Sequence, residues 1–187
     1  GEYYGLFFMR EKIDEDWFSS LYNVDGDSFS MIRGNGEAVL GDPNGYYSLL
    51  WCARNYDFSN QYKYEYMKTQ MDMESFVDFI IAQIYFGNRD SGNAKVYKSD
   101  LTDGKWRWIL YDTDDSLSMV PERTDPDTDS FIAGQWSCSP LNDQLFSSLM
   151  RNPGFKEQFK ATFYEMAQNN FSFPISNKKL LQLQDIY

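Results

Sequence analysis

The strongest periodicity in the chain lies at residues 72–86, where Met73, Phe76, Val77, Ile80, Ile81 and Ile84 recur at three and four residues. That spacing predicts a helix. Few polar positions interrupt it, so the helix is expected to be buried on most of its sides. Asp72 stands where an N-cap belongs, and Gly87 where a left-handed stop belongs. Weaker periodicities predict helices over 11–22, with Asp14 as N-cap before Trp17, Phe18 and Leu21, and over 141–150, ended by Asn152-Pro153. Another follows over 155–166, with Phe155, Phe159, Phe163 and Met166 on one face, and a short one over 177–186 with Leu180, Leu181 and Leu183.

Two stretches follow strand logic instead. Residues 3–10 are rich in Tyr, Phe and Leu, and residues 105–111 follow a turn at Asp103-Gly104. In the second, alternation puts Trp106, Trp108, Leu110 and Asp112 on one face and Lys105, Arg107, Ile109 and Tyr111 on the other. Between residues 23 and 45 the turn clusters VDGDS, RGNGE and GDPNG predict a meander rather than a packed element. Residues 46–66 are aromatic and irregular, ordered or partly helical. The whole stretch 23–66 reads as an insertion within a single domain spanning 1–187. The expected fold class is α+β, mostly helical, with a short strand-containing N-terminal edge. Because the chain begins inside a strand pattern, it reads as a fragment whose N-terminal part is missing.

Composition narrows the functional classes. Aromatics make up 18% of 187 residues, which argues for a packed body rather than disorder. Formal charge is -11 with no histidine, so the chain repels phosphate backbones and is not expected to bind nucleic acid non-specifically. Bound cations would reverse that field locally. No apolar run reaches the roughly 20 residues of a membrane span, and no signal-peptide pattern is present. Cys52 and Cys138 are too few for a disulfide framework and read first as two buried thiols, with a single bridge as the alternative.

Candidate chemistry concentrates between Tyr85 and Asp115. Asp90 follows the buried helix directly, where a rigid element would hold it yet leave it accessible. Phosphoryl transfer to a hydroxyl uses such a carboxylate to accept or orient the hydroxyl proton. Asn93 offers an amide oxygen as a neutral metal ligand. Asp112 ends the 105–111 strand, with Asp114 as a second metal ligand if strand geometry persists and Asp115 solvated. A competing reading makes the Asp90–Asn93 run a plain turn, since each of its residue types favours turns. It also makes 105–111 a core strand whose indoles pack on the buried helix. The acidic run beyond Asp112, with Asp125, Asp127 and Asp129, is a solvated loop on the stronger reading and a Ca2+ site on the weaker one. No carboxylate stands at the closing position of an EF-hand there.

Four segments in sequence order resemble the spore-coat-protein-H type, or CotH, kinase family. GEYYGLFFMREKIDEDWFSSLY is similar to its NGxYxGxYxLxExVDExFL signature, and IIAQIYFGNRDSGNAKVYK to its helix and catalytic loop. DGKWRWILYDTD is close to its GKWRWILYDxD strand, and LFSSLMRNPGFKEQFKATFYEMAQNNFS to its C-terminal LFxxLLxNPEFRxxF segment. The resemblance implies the C-terminal lobe of an atypical protein-kinase fold, phosphorylating serine or threonine with ATP and Mg2+ or Mn2+. It implies Asp90 as the catalytic-loop aspartate, Asn93 as the loop asparagine and Asp112 as the metal-binding aspartate. Trp106 or Trp108 would be the aromatic beside the adenine, and the residues around Arg10 and Glu11 the hinge between lobes. The implied setting is extracellular, on a bacterial cell surface or spore coat, with a protein substrate there. Three departures stand out. The glycine-rich loop and nucleotide-binding lysine of an N-terminal lobe have no counterpart, so this portion alone is expected to be inactive. YDTD runs into Asp115-Ser116-Leu117 where relatives often carry Phe-Gly. Finally, the family includes surface and adhesion proteins, which keeps open a non-catalytic binding module using Tyr46, Tyr47, Trp51, Tyr56, Tyr62, Tyr64 and Tyr66 as its face.

Overall fold

The computed structural model describes residues 1, 11–34, 36–88, 94–113 and 140–186. Helix α1 (Glu15–Tyr22) leads through a 3-10 turn into strands β1 (Phe29–Arg33) and β2 (Ala38–Leu40). Helices α2 (Asn44–Asn55), α3 (Gln61–Gln70) and α4 (Met73–Phe86) precede strands β3 (Lys95–Ser99) and β4 (Arg107–Ile109). Helices α5 (Pro140–Leu149), α6 (Pro153–Asn169) and α7 (Phe173–Ile186) complete the described chain. The fold is α+β, as the sequence pattern predicts: a small antiparallel sheet, ordered β2-β1-β3-β4, set among helices.

The sheet register explains how one layer serves two cores. Ile32 pairs with Val96 and Val96 with Trp108, so these three apolar side chains form a cross-strand row on one face. That row joins the helical core, where Phe76, Ile80, Leu145, Leu149 and Phe155 are buried. One residue along, Met31 pairs with Tyr97 on the opposite face, next to Phe29. There Phe18 of α1 stacks on Phe29 at 4.4 Å, closing a smaller core. The hydroxyls of Tyr22 and Tyr97, 2.7 Å apart, tie α1 to the sheet.

Helix α4 has the boundaries and burial that its periodicity predicts. The Asp72 side chain accepts from Ser75 N, and Gly87 takes φ +59° at the other end. Asp14 caps α1 in the same way, accepting from Trp17 N at 3.2 Å. Asn152 caps α6, and its amide donates to Phe58 O at 2.9 Å, so the cap also fastens the α2–α3 loop to α6. Cys52 carries a buried free thiol; Cys138 lies outside the described residues, as do the strand expected at 3–10 and most of the acidic run after Asp112.

The meander expected for 23–45 is not what this stretch forms. Strand β1 lies inside it, between β2 and β3, with Phe29, Met31 and Ile32 almost wholly buried. The turn clusters are present but punctuate strands. Residues 46–66 form most of α2, the loop after it and the start of α3, and of their aromatics Tyr46, Phe58 and Tyr64 are core residues. The last helix is longer than its leucines indicate, starting at Phe173, and it has no buried residue. Among the described residues no helix is long and apolar enough to cross a membrane.

A polar clamp fixes the β3–β4 hairpin to the helical body. Both terminal nitrogens of Arg107 donate to the Asp103 carboxylate, at 2.6 and 2.7 Å, and one also meets Asp72 Oδ2 at 3.1 Å. Paired mainly with Arg107, the Asp103 carboxyl is held well below its ordinary value of 3.8, at about 2. A carboxylate with a depressed folded-state pKa stabilises the fold above its unfolded value and loses that contribution as pH falls through the folded value. Asp103→Asn should therefore flatten the acid limb of a stability-against-pH curve between about pH 4 and pH 2, read by urea titration monitored through tryptophan fluorescence. At neutral pH it should cost on the order of 1 kcal/mol, because the pair is part-exposed and solvent screens it.

Candidate functional site

The site is built where β4 meets the start of α4. Before β4 enters the ladder, Trp106 bridges in parallel to Met71: Trp106 N donates to Gln70 O at 3.0 Å and Asp72 N donates to Trp106 O at 2.9 Å. One residue further, Trp108 N donates to Ser75 Oγ at 2.9 Å. The end of α3, Asp72 and the first turn of α4 thus supply hydrogen bonds to β4 and the residue before it on the outer edge, while β3 pairs with β4 on the inner one. Trp106 packs edge-on against Tyr46 at 5.4 Å, and Trp108 lies 4.6 Å from Phe76. The strand cannot slide by a residue without turning two buried indoles to the other face.

The ladder stops at Ile109, two residues short of the expected strand end. Leu110 is 48% exposed, and Asp112 has φ +53°. A non-glycine residue in the left-handed region is uncommon, and Asp tolerates it better than most. This turn takes Asp112 itself out of strand geometry. Positive φ at a strand-end carboxylate is the kind of local strain that concentrates at functional positions.

Asp112 opens onto a cavity of about 540 Å³. Leu110 and Tyr111 wall it on the β4 side, Lys95 and Val39 on the rest of the sheet, and Glu11, Lys12 and Ile13 on the α1 side. The charges on the α1 side are held locally: Glu11 accepts from Trp17 Nε1 at 2.9 Å, and Lys12 pairs with Asp14 at 3.0 Å. Lys95 places its ammonium 3.8 Å from the centroid of the Tyr111 ring. Its pKa lies below the ordinary lysine value, first because burial disfavours the charge and then because Arg33 repels it, with Asp112 pulling the other way.

Of the described residues that the sequence offers as catalytic or ligand-binding, Asp112 lines this cavity, and Glu11 of the expected hinge lines it too. Trp106 and Trp108 are 2% and 6% exposed and lie in the core. Trp108 also lines a second cavity, of about 390 Å³, with Phe79, Phe86 and Phe171. Asp90, Asn93 and Asp114 lie outside the described residues. Among the described residues no group of three or more His, Cys, Asp or Glu is arranged to hold a metal. Sequence reasoning missed Lys95, Ile13 and Val39. For Lys95 a signal existed, since it shares the alternation of the segment that follows the Asp90 loop. Ile13 and Val39 carried none, because only tertiary structure brings them to the strand end.

The Ser75 hydroxyl accepts from Trp108 N at 2.9 Å and donates to Trp108 O at 3.4 Å. Ser75→Ala leaves the Trp108 N–H without its partner in a part-buried position, a loss of about 1–3 kcal/mol. Chemical denaturation should show that loss, and amide hydrogen exchange at Trp108 should quicken relative to the rest of β4.

Comparison with known families gives one match. The family model described as CotH kinase protein matches residues 1–179. No curated protein and no solved structure matches the chain.

Proposed function

The chain belongs to the CotH kinase family, and from that membership we propose that it carries part of a nucleotide site for phosphoryl transfer from ATP to serine or threonine of a protein. The observation that carries this reading is the position of Asp112: a strand-end carboxylate in the left-handed region, opening onto a cavity walled on the far side by residues 11–13. In the resemblance drawn from sequence, the hinge between lobes falls around Arg10 and Glu11, so hinge and metal-binding aspartate would border one space.

The residues fit a nucleotide and its metal in kind. Asp112 supplies a hard carboxylate oxygen, which suits Mg2+ or Mn2+. Ile13, Val39 and Leu110 give the cavity apolar surface for a base. On this reading they take the part that the resemblance gives to Trp106 or Trp108, whose faces are occupied by Tyr46 and Phe76. Asn93 and Asp114 are the further metal ligands proposed, and Asp90 is proposed to orient the acceptor hydroxyl and take its proton. A bound Mg2+ or Mn2+ would neutralise phosphate charge and align the transferred group. Every other contribution comes from the chain: Asp112 is preset by its backbone, and the α4–β4 hydrogen bonds hold it there. The setting proposed is extracellular, at a cell surface or spore coat, with a protein of that layer as acceptor.

One observation favours a second reading, in which the chain is a non-catalytic binding module. Tyr47, Trp51, Tyr62 and Tyr66 are 46%, 56%, 88% and 46% exposed around α2 and α3, an aromatic surface suited to carbohydrate or protein. The two readings part at Asp112. Asp112→Asn keeps a side chain tolerated at positive φ and removes only the charge. Calorimetric titration of the full chain with ATP and Mg2+ should show binding in the wild type and a loss of about tenfold or more in the variant. Equal affinity in both would remove Asp112 from the role given to it.

A further inference from the structure

The cavity holds a cation that the metal-binding reading does not use. Lys95 is the first residue of β3, and its backbone is fixed from both sides, by Arg33 of β1 and Ile109 of β4. Its ammonium rests on the Tyr111 ring, next to Asp112 in the chain. Among the described residues it has no carboxylate within ion-pair distance. Glu11, which lines the same cavity, is engaged by the Trp17 indole.

A second observation is independent of the cavity. Arg33 and Lys95 are direct partners in the antiparallel register, so two cationic side chains share one face of the sheet at adjacent positions. Like charges directly opposite each other destabilise a sheet. Arg33 has a partial remedy in Glu37, 3.5 Å away on an exposed hairpin. For Lys95 the nearby counter-charge is Asp112, the carboxylate assigned to a metal. Once that carboxylate is committed to a divalent cation, the local excess of positive charge calls for an anion.

We propose that Lys95 is the phosphate-binding cation of this cavity, pairing with the anionic tail of a nucleoside triphosphate and setting the preference for triphosphate over nucleoside. The inference rests on the nucleotide reading above and adds to it the residue that recognises the phosphates. In the ligand-free protein Tyr111 parks the ammonium, since a ring face holds a cation without neutralising it. Ligand binding moves the ammonium from the ring to a phosphate oxygen, and the repulsion from Arg33 is compensated at the same step. Lys95 is thus a specificity residue. Asp90, Asn93 and Asp112 keep the roles already proposed for them.

The test uses the full chain, Lys95→Met and Lys95→Arg, with thermal melting and calorimetry in the presence of Mg2+ and either ATP or adenosine. In the wild type ATP should raise the melting temperature and bind more tightly than adenosine. Lys95→Met should lose the ATP-induced rise, bind ATP about tenfold or more weakly, and bind adenosine as the wild type does. Lys95→Arg should keep most of the rise. Without nucleotide Lys95→Met should melt no lower than the wild type, because removing one of two opposed cations offsets the lost ring contact. A wild type that responds to ATP and a Lys95→Met variant that responds equally would overturn this proposal and leave the nucleotide reading standing. A wild type that binds neither ATP nor adenosine overturns both.

Discussion

Everything at the candidate site depends on how β4 is held. A three-residue strand at the edge of a sheet has little pairing of its own, and an unpaired edge is free to fray or to recruit another chain. Here the outer edge is occupied by the end of α3 and the start of α4. Gln70, Asp72 and Ser75 exchange hydrogen bonds with Trp106 and Trp108, and Arg107 reaches from the strand to the Asp72 carboxylate that also caps the helix. Asp72 is thus shared between helix initiation and strand docking. The buried indoles fix the register on one face, while Arg107 and Asp103 lock the turn on the other. Asp112 follows three residues after the last ladder position, so little freedom remains in where its backbone starts to turn.

The aromatic content, unusual in a chain of this size, is explained by the sheet being thin. Four short strands must separate two apolar compartments, and small side chains would not span from a strand to the helices on either side. Phe18 and Phe29 fill the α1 side, and Trp106, Trp108, Phe76 and Phe155 fill the other. Aromatic side chains bury large areas with few rotatable bonds, which suits a small core with limited depth. The cost is polar atoms that must find partners: the Tyr22 and Tyr97 hydroxyls find each other, while the Tyr46 hydroxyl is buried with no partner among the described residues.

How far the sequence announced this arrangement differed by element. Helix α4 was legible to within a residue because its apolar period, cap and stop all agree, and such consistency is what local reasoning can detect. The faces of 105–111 were legible too, since alternation alone assigns them, and the register bears out that Trp106 and Trp108 point to the helical core. Strand β1 was not. Phe29–Arg33 is a five-residue run between glycine-rich turns, and nothing local distinguishes it from a meander; its place in the sheet comes from pairing with Lys95–Ser99, more than sixty residues away. The leucines of α7 mark only its later turns, because Phe173 and Pro174 precede them and look like loop, although proline is well suited to a first helical turn. At the site, the strand-end carboxylate was visible as a motif. The residues that make its surroundings into a cavity were not, because Glu11–Ile13, Val39 and Lys95 come from three distant segments.

The charge pattern around Asp112 is the point at which the fold's requirements and a ligand's separate. For the ligand-free fold, a lysine opposite an arginine is a poor choice at position 95: an aliphatic residue would continue the apolar pairing with Ile109 and remove a repulsion. On the proposed nucleotide reading the same lysine is apt, because a polyphosphate beside a divalent cation would balance its charge. The left-handed backbone of Asp112 has the same character, a small local penalty that a glycine would relieve at the expense of the carboxylate. Among the described residues two such departures border one cavity, which is the pattern expected where local stability yields to a ligand's requirements.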